Sequence, residues 1–447
     1  MKNTVKRVSA LLLCAIMCIL FCSCDMIDSL SQEISSLTKP KYGIVEDTSL
    51  GYTKIDKLEF SYSEHYNQYQ CRDSYNLLEN DLMRKLYDMM LENIYYVYPK
   101  ADNGEYKTKQ VILEESALSE AQVRLTIKAL TDDNPEIFFL SSTFGFLIHD
   151  EYNYTAVQLY SRYSPQELTK KSEEFVSKVN GFYSSLEKGM SEYQRELYIH
   201  DYIINNCEYD TKAAQSADFN TKRSDIYESY GALVLNVAVC EGYSRAFQML
   251  CHGVGIRCIN LIGQSEGVLH MWSAVELDGD WYYVDATWDD IDDEAFRYDF
   301  FNITQKEIEK DREFSALASK MTDNEINGDS ENNALTSNFF IPECNQKAYN
   351  YYVREAVHLT DYNSSKIVDS LLSSAMKKEK YFHFYIEPDK LDFDEAIDML
   401  FYSQPQYFFE YINKANESLS EYAIECENLS VYKKDSLSVV TVVMKYI

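Results

Sequence analysis

The sequence predicts an α+β protein built from more than one folded unit. Three observations carry that reading. Apolar residues recur at helical spacing in several runs, as in Leu82, Leu86, Met89, Met90 and Ile94. Other runs alternate and are joined by short polar turns, the sharpest being 270–287 around Asp278-Gly279, a two-residue hairpin signal. The chain is also long, at 447 residues and 46% hydrophobic, which is enough for two or three domains that each bury a core.

The N-terminus reads as an export signal. "MKNTVKR" supplies positive charge, "VSALLLCAIMCILF" a short apolar run, and "CSCD" small residues ending in a cysteine. The apolar run is short and wrongly flanked for a membrane span. "LFCSC" resembles a bacterial lipobox, with Phe21 unusual at the third position before Cys24. On that resemblance residues 1–23 are a lipoprotein signal peptide and Cys24 is lipidated, placing the chain on the extracytoplasmic face of the cell membrane. The alternative is an ordinary secreted protein cleaved nearby. Loss of Lys2, Lys6 and Arg7 takes the formal charge from −30 to −33. So acidic a chain is repelled by polyanions, which excludes nucleic acid as a natural partner. Residues 24–58 are polar with little apolar period and read as a tether.

From 59 to 160 the pattern is a small α/β unit. A helix over "DLMRKLYDMMLENIYYVY" is followed by one that Ser119 caps and Pro135 stops. "FGFLI" and "YTAVQLYSRY" then read as two strands around a polar turn, His149 to Asn153. Two long helices follow, one from Ser164-Pro165 to about Leu186 and one over "SEYQRELYIHDYIINNC". The polar stretch 210–225 is long enough to border a site. A catalytic domain is expected over 161–319, with "FRYDFFNITQKEIEKD" a strand then a helix capped by Thr304. Residues 320–337 read as a polar linker. Residues 338–447 read as strand ("YFHFYIE"), helix ("DFDEAIDMLFYSQPQYFFEYI") and strand ("SLSVVTVVMKYI"), a C-terminal α+β domain.

Of eleven cysteines, seven lie beyond the export segment: Cys71, Cys207, Cys240, Cys251, Cys258, Cys344 and Cys426. The odd number and irregular spacing show no disulfide framework. Cys240 stands just ahead of an apolar helical pattern, with Phe247, Leu250 and Cys251 on its core side. A helix start exposes unpaired N–H groups and a dipole that favour a thiolate, and the same groups could hold an oxyanion. Gly242 next to it is expected to open the approach of a substrate backbone. Position alone suits a small core cysteine at least as well.

A nucleophilic thiol needs a base, and the base needs an orienting group. His252 lies twelve residues on along the same helix, out of reach. His65, His149, His358 and His383 have no acid placed to orient them, and His200 in "YIHDYI" reads as a packing or surface residue. His270 differs. With a turn at Asp278-Gly279, Trp272 faces Asp285, and His270 and Asp285 become diagonal neighbours on one face. A slip of one residue would part them, and an ordinary half-buried hairpin remains the alternative.

A thiol at a helix start, then a strand, then a histidine and a carboxylate on one hairpin make a Cys-His-Asp order. "YIHDYIINNCEYD", "YGALVLNVAVCEGYSRAFQMLCHGVGIRC", "HMWSAVELDGDWYYVDATWDD" and "YDFFNIT" follow one another over 196–305. In this they resemble bacterial members of the transglutaminase-like superfamily, circular relatives of the papain-like cysteine proteases. "LTDDNPEIFFL" resembles the segment ahead of the core in those proteins. The resemblance implies an α+β, papain-like core in which a nucleophile helix packs on an antiparallel sheet, flanked by small α/β units. It makes Cys240 the nucleophile and His270 the base, with Asp285 the orienting acid. Ser273 stands where bacterial members often carry Asn, on the strand face away from His270.

Other chemistries fit poorly. Cys251 and Cys258 lack a histidine pair at zinc spacing, so no metal site is expected. "GVG" at 253–255 reads as a helix end, and the acidic run 289–294 as a solvated loop. The expectation is therefore a cofactor-free, membrane-tethered thiol enzyme that transfers acyl groups from peptide or carboxamide bonds. Water is the expected acceptor in preference to an amine, and the backbone N–H of Cys240 an oxyanion donor. Its expected partners are a peptide or protein substrate, with cell-wall material one source. The competing reading is a peptide- or cell-wall-binding lipoprotein on the same fold.

Overall fold

The computed structural model describes residues 51–447 except 63–64, 115–116, 150–152, 215–223, 329–332 and 364. The expected signal peptide, Cys24 and most of the tether lie outside the described residues. Among the described residues, no helix is long and apolar enough to cross a membrane. The chain divides into two compact units. Described residues up to Asp290 together with Glu309–Glu343 make the first, and Ile291–Ile308 with Cys344–Ile447 the second.

The first unit begins before residue 59. β1 (Thr53–Lys54) pairs with β2 (Tyr96–Asp102), and Ile55 is buried, so 51–58 belongs to the fold and not to a tether. Between these strands lies helix α1 (Asp81–Asn93), which Asn80 caps. The sheet continues through β3 (Glu105–Thr108), β4 (Val111–Leu113), β5 (Leu140–His149) and β6 (Tyr154–Ser161), in the order β1-β2-β3-β6-β4 with β5 also on β6. Helix α2 (Glu120–Asp133) starts at Ser119 and stops before Pro135. Helices α3 (Pro165–Ser184) and α4 (Glu192–Asn206) start at Ser164 and Ser191. Each of these three serines forms a reciprocal capping box, so the chain itself marks the helix starts.

After a short parallel pair, β7 (Glu208–Tyr209) with β8 (Val237–Ala238), helix α5 runs from Cys240 to Gly253. It packs against α4 and on a four-stranded antiparallel sheet. That sheet has the order β11-β10-β9-β12, with β9 Arg257–Ser265, β10 Val268–Leu277, β11 Asp280–Val284 and β12 Arg312–Phe314. Phe247, Leu250 and Cys251 are buried on the core side of α5. The expected hairpin register holds, with Ser273 opposite Val284 and Leu277 opposite Asp280. The second strand is shorter than expected. It ends at Val284, and Asp285 instead caps a single helical turn, α6 (Ala286–Asp289). An Asp at that position satisfies the first N–H groups of a turn better than it extends a strand.

The expected boundaries of the catalytic domain, 161–319, shift for two reasons. Residues 291–308 belong to the second unit, where the expected strand is a series of turns followed by a helical turn at Gln305–Ile308. The described residues of the expected linker 320–337 include packed structure, because Ile326 and Ala334 are buried against Ala121 of α2.

The second unit is α+β, as expected, and takes in 344–447 rather than 338–447. Its sheet is ordered β13-β14-β16-β15. The strands are β13 Val357–Leu359, β14 Tyr381–Ile386, β15 Ser430–Lys434 and β16 Val439–Val443. Its core joins Leu371 of helix α7 (Ser365–Met376) to Phe384, Phe408, Ile412 and Val440. The single helix expected after Asp392 is two, Phe393–Tyr402 and Tyr407–Asn416, separated around Pro405, which has no N–H to carry a helix through.

Candidate functional site

Cys240 is the first residue of α5. The residue before it, Val239, is extended, and its side chain does not cap the first turn beside the thiol. The thiol is partly exposed, while α5 from Gly242 onward is buried. Gly242 does not open a substrate path, contrary to expectation. A Cβ there would lie 2.4 Å from the Ile226 carbonyl oxygen and 2.8 Å from Ala238 Cβ. Its role is to let the preceding loop close onto the helix.

His270 sits on β10 opposite Gly263 of β9, with Trp272 stacked on its ring. The ring lies between two partners. Nε2 is 2.7 Å from Asp285 Oδ2, and the side chain of Cys240 lies near enough for its charge to act on the ring. With Nε2 on the carboxylate, Nδ1 is left for the sulfur. His270 is 8% exposed and Asp285 1%. Burial opposes charge on the imidazole, but the Asp285 carboxylate and the sulfur outweigh it and hold its pKa up to about 10. Burial likewise works against the Asp285 carboxylate, yet His270 and Arg312 bring its pKa down to about 2. The structure thus brings Cys240, His270 and Asp285 together.

Arg312 escaped the sequence reading. It lies on β12, with Nη2 2.7 Å and Nε 3.2 Å from Asp285 Oδ2, and its guanidinium covers the Trp288 ring at 4.6 Å. β12 reaches the sheet edge because Gly263 has no side chain, since a Cβ there would lie 2.1 Å from the Glu313 carbonyl oxygen. A lone arginine in "KDREF" carries no motif, and no local signal marks it. Tyr209 was also missed. β7 pairs it with Ala238, two residues ahead of Cys240. Burial, then the charges of Cys240 and Asp285, push its ionisation up and keep the phenol protonated.

A cleft of about 260 Å³ opens beside Cys240 and His270. Its walls include Ile127, Leu140, Phe144 and Leu269. The charged groups on the walls engage one another: Lys128 meets Asp132 at 2.6 Å and Arg245 meets Glu241 at 2.9 Å.

Of the remaining histidines, His200 is a packing residue, within expectation, while His358 departs from it. His200 is fully buried, with Nε2 3.0 Å from Asp289 Oδ2. His358 does have an acid, Glu387, at 2.6 Å. The first two residues of the acidic run are engaged rather than solvated, since Asp289 holds His200 and Asp290 accepts the Tyr243 hydroxyl. His252, near the far end of α5, donates from Nε2 to the Cys258 carbonyl of β9, and burial lowers its pKa to about 4. Among the described residues no cluster of His, Cys, Asp and Glu could hold a metal ion.

Comparisons with known proteins bear on the same segment. Residues 182–286 match the family model of the transglutaminase-like superfamily. Kyphoscoliosis peptidase of Mus musculus is 31% identical over 116 residues, 23% of this chain and 17% of that protein. The Homo sapiens protein is 30% identical over the same length. The match therefore spans 17% of the length of these relatives. A crystal structure of a TGase overlaps 47% of this chain and 58% of its own, at 15% identity and a TM-score of 0.24. Within its α+β fold the chain carries a transglutaminase-like domain over residues 182–286.

Proposed function

We propose that the protein is a thiol acyl-transfer enzyme that hydrolyses peptide or carboxamide bonds, held by lipidated Cys24 on the extracytoplasmic face of the membrane. The observation that carries the chemistry is that Cys240 and His270 line one cleft while His270 is bonded to Asp285 behind it. His270 keeps the proton of Cys240, and the thiolate attacks the carbonyl carbon of the substrate. The new oxyanion takes the N–H of Cys240 and the hydroxyl of Tyr209. His270 returns its proton to the leaving nitrogen, whose bond to carbon breaks and leaves a thioester. Water, deprotonated by His270, attacks the thioester and releases the acid and the thiol. Asp285 keeps the imidazole turned toward the sulfur throughout. A wall whose charges pair among themselves suits an uncharged amide. Water is the acceptor in this reading because the cleft carboxylates Asp132, Glu228 and Glu241 already face Lys128 or Arg245.

The test is alkylation of Cys240 by iodoacetamide, followed by a screen of peptide, cell-wall and amine-donor substrates. Cys240 should react faster than an ordinary exposed thiol and lose that advantage in His270→Ala. Turnover of any substrate should vanish in Cys240→Ala. A Cys240 that reacts as an ordinary thiol in both proteins sinks the enzyme reading and leaves a binding protein on the same fold. Labelled palmitate or a diacylglyceryl mass on Cys24, absent from Cys24→Ala, tests the anchor.

A further inference from the structure

Asp285 serves two cations. Its Oδ2 takes His270 Nε2 at 2.7 Å, Arg312 Nη2 at 2.7 Å and Arg312 Nε at 3.2 Å, while Oδ1 takes the Trp288 N–H at 3.2 Å. The guanidinium is wholly buried between this carboxylate and Trp288, and its Nη1 reaches Asp311 at 2.5 Å. We propose that Arg312 is a positioning residue that fixes the Asp285 carboxylate and sets the basicity of His270. Its significance for catalysis rests on the proposed thiol chemistry, although the titration of His270 can be read whether or not that chemistry holds.

The physical argument is competition for one oxygen. A carboxylate facing only an imidazole stabilises imidazolium fully. A second fixed cation on the same oxygen draws the carboxylate toward itself and opposes the imidazolium charge. Arg312 also gives the buried anion a fixed cation besides His270, so the arrangement is held without depending on His270 being protonated. The other charged or titratable groups around His270 are accounted for. From α5 come Cys240, Glu241 and Arg245, the last two paired with each other. Lys128 and Asp132 of α2 pair with each other and Glu228 meets Arg245 across the cleft. Tyr209 bears on Cys240 and Asp285 from β7. β9 presents Ile262 and Gly263, which carry no charge. Among the described residues, Arg312 is the cation that shares the carboxylate with His270.

The experiment is an NMR titration of the His270 imidazole in the full chain, with Arg312→Met, Arg312→Gln and Arg312→Lys. Losing the charge in Met or Gln should move the midpoint up by about one pH unit or more, the size expected for like charges a few ångströms apart. Arg312→Lys keeps the charge and should stay near the parent. The pH profile of Cys240 alkylation should move in step. If Arg312→Met does not fold, Arg312→Gln, which keeps a donor for the carboxylate, carries the test alone. A midpoint that stays or falls when the charge is lost overturns the proposal, even where the melting temperature drops. Activity that persists in Cys240→Ala would instead defeat the catalytic reading and leave the titration result standing.

Discussion

Two histidine–carboxylate pairs flank one turn of helix. At the start of α6, Asp285 holds His270; at its end, Asp289 holds His200. Both pairs are buried and both hold their imidazoles charged, His200 with a pKa near 9 despite burial because Asp201 and Asp289 bond to it. They differ in what else is present. His270 also meets a thiol and a cleft, and its acid is shared with Arg312. His200 is 0% exposed and bridges α4 to α6. The pair itself is thus not a signature of catalysis. What distinguishes a site from a clamp is a reactive third group and a way in for substrate.

The largest test of that contrast is chemical. Cys240→Ala and His270→Ala should each lower kcat by about 10⁶-fold, to the edge of detection. His200→Gln should leave the alkylation rate of Cys240 near its parent value. A large loss of Cys240 reactivity in a folded His200→Gln protein would erase the distinction.

The clamp should show in stability. Breaking one partner of a buried pair costs about 3–5 kcal/mol, so His200→Gln should unfold more easily in urea. The sign with pH follows from a raised folded-state pKa. The contribution is complete below the unfolded value of about 6.5 and disappears as pH rises through about 9. Denaturation of the two proteins at pH 6 and pH 10 should therefore show a gap that narrows at the higher pH.

A smaller effect separates chemistry from binding inside the site. Tyr209→Phe removes one hydroxyl and should reduce kcat about 10²-fold with KM little changed, as loss of one oxyanion donor does. An unchanged kcat would remove Tyr209 from the reaction. The smallest effect is packing. Gly242→Ala should cost about 1–3 kcal/mol of stability, because the Ile226 carbonyl has to move, and a denaturant midpoint measures it. Full stability would mean that the loop yields freely.

Much of this was legible along the chain. Ser119, Ser164 and Ser191 announce their helices because a cap and its partner lie three residues apart. The Asp278-Gly279 turn sets the hairpin register, and the register places His270 and Asp285 within reach. The shortfall lies where partners are distant. Arg312 approaches Asp285 from a strand that the chain reaches only after residues 291–308 in the other unit. Asp289 finds His200 across 89 residues. Gly242 beside the thiol looked like an opening, and its true neighbour, the Ile226 carbonyl, lies on another loop.

The order Cys240, His270, Asp285 and the local geometry of helix start and hairpin were determined by sequence alone, because caps, turns and strand register act over a few residues. Only the tertiary structure decided which histidine–carboxylate pair faces a thiol, that an arginine shares the acid, and that Asp289 of the acidic run is buried against His200. Those outcomes depend on charges meeting inside the protein, where low polarity makes each unpaired group costly and each partner decisive, and no local pattern in the chain records where such partners will meet.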